Sequence, residues 1–245
     1  MSNVRYAVFF VPPADSALYR FGAAVLGYDA YSGQDLPAGA SEQLPEAEWR
    51  QITAEPRRYG FHATLKPPFH LNGDVSEQDL VAAFKQFVPT CSPPPAFPAS
   101  IALLDGFAAM VPTALIPLVD GLAQRCVREF DRFRSPLTEA ERNRRLAHPL
   151  TERQIGQLDC WGYPYVFEDF RFHMTLTGRL PAPQAPEVLA CLRDAQHKAQ
   201  VPSEVAIETI ALLRQDGPGA RFRVVHGLTL GEPSDAPPAG AATLG

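Results

Sequence analysis

Two short runs, "GFHATL" at residues 60–65 and "RFHMTL" at residues 171–176, each place an imidazole and a hydroxyl two positions apart. In an extended strand, two is the repeat of the backbone. His62 and Thr64 therefore share one face, as do His173 and Thr175, while Ala63, Leu65, Met174 and Leu176 take the opposite one. Histidine can take or give a proton near neutral pH. A threonine hydroxyl can donate a hydrogen bond to a non-bridging phosphate oxygen. Two such faces meeting across a cleft would put a base on the attacking oxygen and an acid on the leaving oxygen of an in-line reaction at phosphorus. His62 and His173 are thus the candidate catalytic pair, and Thr64 and Thr175 the candidate phosphate-binding pair.

The surrounding elements repeat as well. Each motif strand is followed by an amphipathic helix, opening at Ser76 in the first half and spanning residues 186–200 in the second. Each helix leads to a hairpin. "SIALL" begins 38 residues after His62 and "TIALL" 36 after His173, and the hairpins turn at Asp105-Gly106 and Asp216–Gly219. Landmarks so nearly in phase indicate an internal duplication. Repeat 1 spans about 59–113 and repeat 2 about 168–231, with a helical insert at about 114–160. A strand over residues 5–11 and a helix ended by Gly27 precede them. The expected fold is α+β: two pseudo-symmetric lobes, each an antiparallel sheet with helices outside, their His-x-Thr strands facing a central cleft. Residues 1–231 form one two-lobed domain, and the Pro/Ala/Gly-rich tail 232–245 is expected to be disordered.

The composition bounds the function. The chain has 245 residues, 46% hydrophobic, enough for a sizeable core. A formal charge of −5 argues against a nucleic-acid polymer or an anionic membrane as partner. No signal peptide or bilayer-spanning run is evident, and the four scattered cysteines fit reduced thiols, so a cytoplasmic location is expected.

Beyond the tetrapeptides, "PRRYGFHATLKPPF", "WGYPYVFEDFRFHMTLTGRL" and "RYAVFFVPPADSALYRFGAAVLGYDA" make most of residues 1–231 resemble the 2H phosphoesterase superfamily. The likeness is to an uncharacterised bacterial branch associated with phosphonate-utilisation genes. The resemblance implies His62 and His173 as the catalytic pair, Thr64 and Thr175 as phosphate ligands, and a hydrolase of the cyclic phosphodiesterase type. Its phosphonate association suggests a ribose cyclic phosphate as substrate. The expected mechanism is metal-independent acid–base catalysis with no cofactor, and the expected partner is a small phosphorylated substrate bound by a monomer.

Around the motifs, Lys66 falls on the alternation face of His62 and Thr64 and is a candidate for a second phosphate. Arg57, Arg58, Arg171 and Tyr163 are further candidate substrate contacts, though as surface cations and a packing aromatic they have ordinary readings too. Arg142, Arg144 and Arg145 in the insert share that ambiguity. Three rivals compete with the phosphodiesterase reading. A metal site through His62, His173 and Glu168 or Asp169 has too few converging ligands. A non-catalytic module binding a nucleotide or phosphorylated ligand would use the same cleft. Action on RNA ends or 2′,3′-cyclic nucleotides is weakened by the lack of a basic-aromatic strip. Where the repeats differ, Arg57, Arg58 and Lys66 align with Glu168, Asp169 and Thr177.

Overall fold

Strand β1 (Arg5–Phe10) is buried at every residue after Arg5. A run apolar on both faces has to lie inside a sheet covered on both sides. In the computed structural model, which describes residues 3–37 and 44–232, that is where it lies. Tyr6, Val8 and Phe10 enter the main core, while Ala7, Phe9 and Val11 enter a smaller cluster with Tyr19 and Phe222.

After β1 come α1 (Ala17–Leu26), a small ribbon of β2 (Tyr28–Asp29) and β3 (Gln34–Asp35), then α2 (Glu46–Ile52) and α3 (Ala54–Arg57). The first repeat follows as β4 (Ala63–Phe69), α4 (Glu77–Phe87), β5 (Phe97–Leu104) and β6 (Phe107–Pro112). The insert holds α5 (Pro117–Phe130), α6 (Glu139–Leu146) and α7 (Glu152–Trp161). The second repeat is β7 (Met174–Arg179), α8 (Ala185–Lys198), β8 (Glu204–Val205), β9 (Thr209–Gln215) and β10 (Arg223–Thr229). Local chemistry explains several boundaries. Ser76 and Asp79 close a capping box on α4, as Thr138 and Glu141 do on α6. Gly27 ends α1 in the left-handed conformation, its N–H bonded to the carbonyls of Ala23 and Ala24.

The fold is α+β, a large antiparallel sheet with helices packed around it and no closed barrel. The strand order is β10-β9-β1-β4-β7-β6-β5-β8. This order reveals an exchange that alternation patterns cannot show. The hairpin β5–β6 follows β4 in the chain but lies beside β7, and β9–β10 follows β7 but lies on the side of β1 and β4. Each half of the sheet is therefore built from both repeats. The two halves join at β4 and β7, whose ladder is the single pair Ala63↔Met174. The proposed disordered tail falls outside the described residues, except for Glu232.

One expectation is corrected by the register. Phe9 pairs with Thr64, but Val8 pairs with Lys66, so a bulge at Leu65 breaks the alternation of β4. Lys66 is thereby turned away from His62 and Thr64 into the core, where it is 1% exposed. Its ammonium donates to Asp131 Oδ1 at 2.8 Å, and Asp131 also accepts from Arg134 Nε at 2.8 Å. Lys66 therefore binds α5 and its extension to the sheet and is not a second phosphate ligand.

The buried pair yields a prediction. Asp131→Ala strands the Lys66 ammonium in an apolar setting and should cost about 3–5 kcal/mol. Lys66→Met leaves Asp131 with Arg134 and should cost distinctly less. Urea unfolding of both variants checks the order; a larger loss in Lys66→Met would contradict it.

Candidate functional site

The two motifs are set by closely matching local structure. Along residues 61–65 and 172–176 burial alternates in step: Phe61, Ala63 and Leu65 are buried, as are Phe172, Met174 and Leu176, while both histidines and both threonines are half-buried. The sheet strands begin at Ala63 and Met174, so each histidine stands immediately before its strand. Since Ala63 and Met174 are paired and point inward, His62, Thr64, His173 and Thr175 all face the other side of the junction. They line one cleft of about 430 Å³.

Each imidazole is fixed in the same way. His62 Nδ1 lies 2.8 Å from the Gly60 carbonyl, and His173 Nδ1 lies 2.8 Å from the Arg171 carbonyl. A carbonyl can only accept, so in both rings Nδ1 carries the proton and Nε2 is left to face the cleft. The Thr64 hydroxyl, 3.3 Å from His62 Nε2, then donates to it. Gly60 reaches its position through a positive φ of 75°, and a Cβ there would come within 2.8 Å of the Ala30 Cβ. That explains glycine in the first motif where the second has arginine. Behind the strand, Phe61 packs so tightly on α1 that a Cβ on Gly22 would sit 2.1 Å from its ring.

The halves differ in their walls. Phe9, fully buried on β1, stacks on His62 with centroids 3.9 Å apart and planes at 23°. Tyr59 lies 6.0 Å from the same ring and itself stacks on Phe222. Among the described residues, His173 has Phe107 alone, tilted, at 5.7 Å. Burial in this aromatic setting pulls the His62 pKa down to about 4, with the nearby His173 adding to the effect and the Gly60 carbonyl opposing it. The His173 pKa is also lowered by burial, against support from the Arg171 carbonyl and from Asp105.

The remaining candidates separate. Tyr163 lines the cleft with its ring under Arg145, whose guanidinium carbon is 5.0 Å from the centroid. Arg171 lines the adjoining cavity, which His173 also borders. Arg57 is spent elsewhere, donating to the Leu26 carbonyl and to Thr53 Oγ1, each at 2.6 Å. Arg58 donates to the Pro218 carbonyl and lies at a neighbouring recess. Thr177 is fully buried and accepts from the Ala108 N–H at 2.9 Å. Asp169 is held by Arg153 through two bonds of 2.8 and 2.9 Å. Sequence reasoning passed over Arg5, Glu55, Tyr59 and Arg179 on the cleft wall. Only Tyr59, three residues before His62, had a signal in its proximity to the motif.

The depressed His62 pKa has a consequence for stability. An unfolded imidazole binds its proton near pH 6.5, the folded one near pH 4. Between those values the unfolded chain holds more protons, so stability should fall as pH drops through that window and level off below it. His62→Asn should flatten most of the slope, which chemical unfolding midpoints at half-unit pH steps would reveal. An equally steep slope in the variant would refute the assignment.

Comparisons with known proteins add the following. A protein from Janthinobacterium sp. (strain Marseille) is 36% identical over 225 residues, 90% of this chain, and is named ribose 1,5-bisphosphate phosphokinase PhnN. A protein of the same name from Laribacter hongkongensis (strain HLHK9) is 34% identical over 230 residues. The chain spans about half the length of each, 49% and 50%. Both names state a phosphoryl transferase, and this overturns the expectation of a cyclic phosphodiesterase hydrolase. A conserved protein of unknown function, ATU0111 from Agrobacterium tumefaciens str. C58, aligns with 95% of this chain and 87% of its own at a TM-score of 0.45 and 13% identity. The family described as "Protein of unknown function (DUF1045)" matches residues 64–223, more than half of the sequence, and the chain belongs to that family.

Proposed function

We propose that the cleft binds a small phosphorylated ribose and performs phosphoryl transfer by acid–base catalysis, with His62 and His173 moving protons and Thr64 and Thr175 holding the phosphoryl oxygens. The observation that carries this reading is the pair of imidazoles locked at Nδ1 by backbone carbonyls, each beside a threonine on the same face. The sugar phosphate comes from the names of the relatives, and it accords with the phosphonate association of the resemblance. The 2H relationship itself rests on the motifs.

The unequal walls suggest a division of labour. A base has to be neutral before it acts, and His62 with its pKa near 4 is neutral throughout the physiological range. It would take the proton of the attacking oxygen. His173, at the less apolar wall and near Asp105, would hold the proton given to the leaving oxygen. A bound phosphate would favour that protonated form, because its charge opposes the effect of burial. Thr64 donates to His62 Nε2 and would turn its hydroxyl to phosphate on binding.

A second reading, a module that holds the phosphorylated ligand without transferring it, is favoured by two observations. The chain spans half of relatives whose names describe whole proteins. It also lacks the G-x-x-x-x-G-K-[ST] loop with which many kinases cradle nucleotide phosphates.

The test is to titrate the purified chain with ribose 1,5-bisphosphate and follow transfer from a nucleoside triphosphate by phosphorus NMR. Saturable binding should weaken in Thr64→Val and Thr175→Val. Transfer should fall roughly 10²–10⁴-fold in His62→Ala and in His173→Ala. Binding without any transfer would favour the module. Transfer indifferent to both histidines would overturn the acid–base assignment.

A further inference from the structure

Helix α6 is unusual in burying none of its residues. It is held by its capping box, by the two-bond pair of Arg142 with Asp159 (2.7 and 3.0 Å) and by Glu141 lying 3.8 Å from His70 Nε2. A helix without core residues contributes little to folding, so its position needs another reason. Its last turn carries Arg144 and Arg145, both exposed.

Those two arginines face a recess of about 360 Å³ that opens off the candidate site. The recess and the cleft share Arg5, Tyr59 and Arg145 on their walls, so the two spaces adjoin. Arg58, Arg144 and His148 also line the recess. Among the described residues, none of Arg5, Arg58, Arg144 and Arg145 forms an ion pair with a carboxylate. Arg5 donates to the Gln215 side chain and lies over Phe222, Arg58 donates to a carbonyl, and Arg145 lies over Tyr163. Two carboxylates do face the recess. Glu141 is bonded to the Thr138 cap, lies near His70 and is close enough to Arg144 to interact with its charge, while Glu55 is a second opposing charge. Four guanidinium groups without a direct ion pair, facing two carboxylates beside a phosphate-sized space, are equipped to bind an anion through charge-assisted bonds.

We infer that this recess is a second anion subsite, selecting ligands with two phosphate groups, one at the histidine–threonine face and the other at the arginines of α6. The inference rests on the proposed function for the placement of the first phosphate. It names the specificity of that site: a bisphosphorylated sugar over a monophosphorylated one. Arg144 and Arg145 act here in binding, through the second phosphate. The surface position of α6 then has a purpose, since it adds Arg144 and Arg145 to the cations around the cleft.

Isothermal titration of the full chain with ribose 1,5-bisphosphate and with ribose 5-phosphate tests the idea through the ratio of the two affinities. The bisphosphate should bind at least about tenfold tighter, and R144A/R145A should bring that ratio close to one. Because α6 has no buried side chain, this double variant should fold, as a thermal melt would verify. A wild-type ratio near one, or a ratio unchanged in the variant, would overturn the subsite. Thr64→Val with His62→Ala should weaken both ligands alike. If it weakens neither while the arginine-dependent ratio persists, the placement of the first phosphate fails and the arginine subsite stands.

Discussion

The pairing of Ala63 with Met174 is the constraint on which the site depends. It is one rung in a sheet whose other central contacts are full ladders, and it sets the two motif strands side by side and antiparallel. Because both paired residues point into the core, their neighbours on either side must point out of it. Two histidines and two threonines from distant parts of the chain are thereby presented to one space. The rest of the sheet holds this junction in place. On one side β1 is buried on both faces and braces β4, and on the other β6 braces β7.

The hairpin exchange strengthens that arrangement. Were each repeat to close its own sheet, the halves would meet only at the motif strands. With β5–β6 beside β7 and β9–β10 on the side of β1 and β4, chain connectivity ties each half to the other. Relative movement of the two histidines is then resisted by the crossovers through α4 and α8 as well as by the single rung. For the proposed proton transfer across a phosphorus centre this matters, because small displacements of the acting groups are costly.

Symmetry in the strands is offset by asymmetry around them. Both rings are oriented alike by carbonyls two residues earlier, yet His62 is pressed against Phe9 and Tyr59 while His173 meets one tilted phenylalanine. Burial acts on the charged form of each imidazole, so the more enclosed ring is the harder to protonate. The matched strands therefore present two imidazoles, and the unequal walls enclose them differently. The cations follow the same rule. They come from β1, from the turn before β4, from the insert and, in the second motif strand alone, from Arg179 at the end of β7.

Much of this could be read directly from local patterns. The period-two spacing of His62 with Thr64 and of His173 with Thr175 specifies a shared face, and the buried partners Phe61, Leu65, Phe172 and Leu176 confirm it. Helix starts at Ser76 and Thr138 and the stop at Gly27 follow from chemistry within a few residues. What local pattern could not carry was anything that depends on pairing partners. The bulge that sends Lys66 into the core is defined only by its register against β1, and the salt bridge to Asp131 only by the packing of α5. Arg57 could not be told from a ligand until α1 and Thr53 were seen to hold it. The sequence by itself determined the acid–base and hydroxyl groups and the strand faces that present them, because those are properties of neighbouring residues. Only the tertiary structure decided which cations reach the cleft and how far each histidine is desolvated, because those depend on distances between segments far apart in the chain.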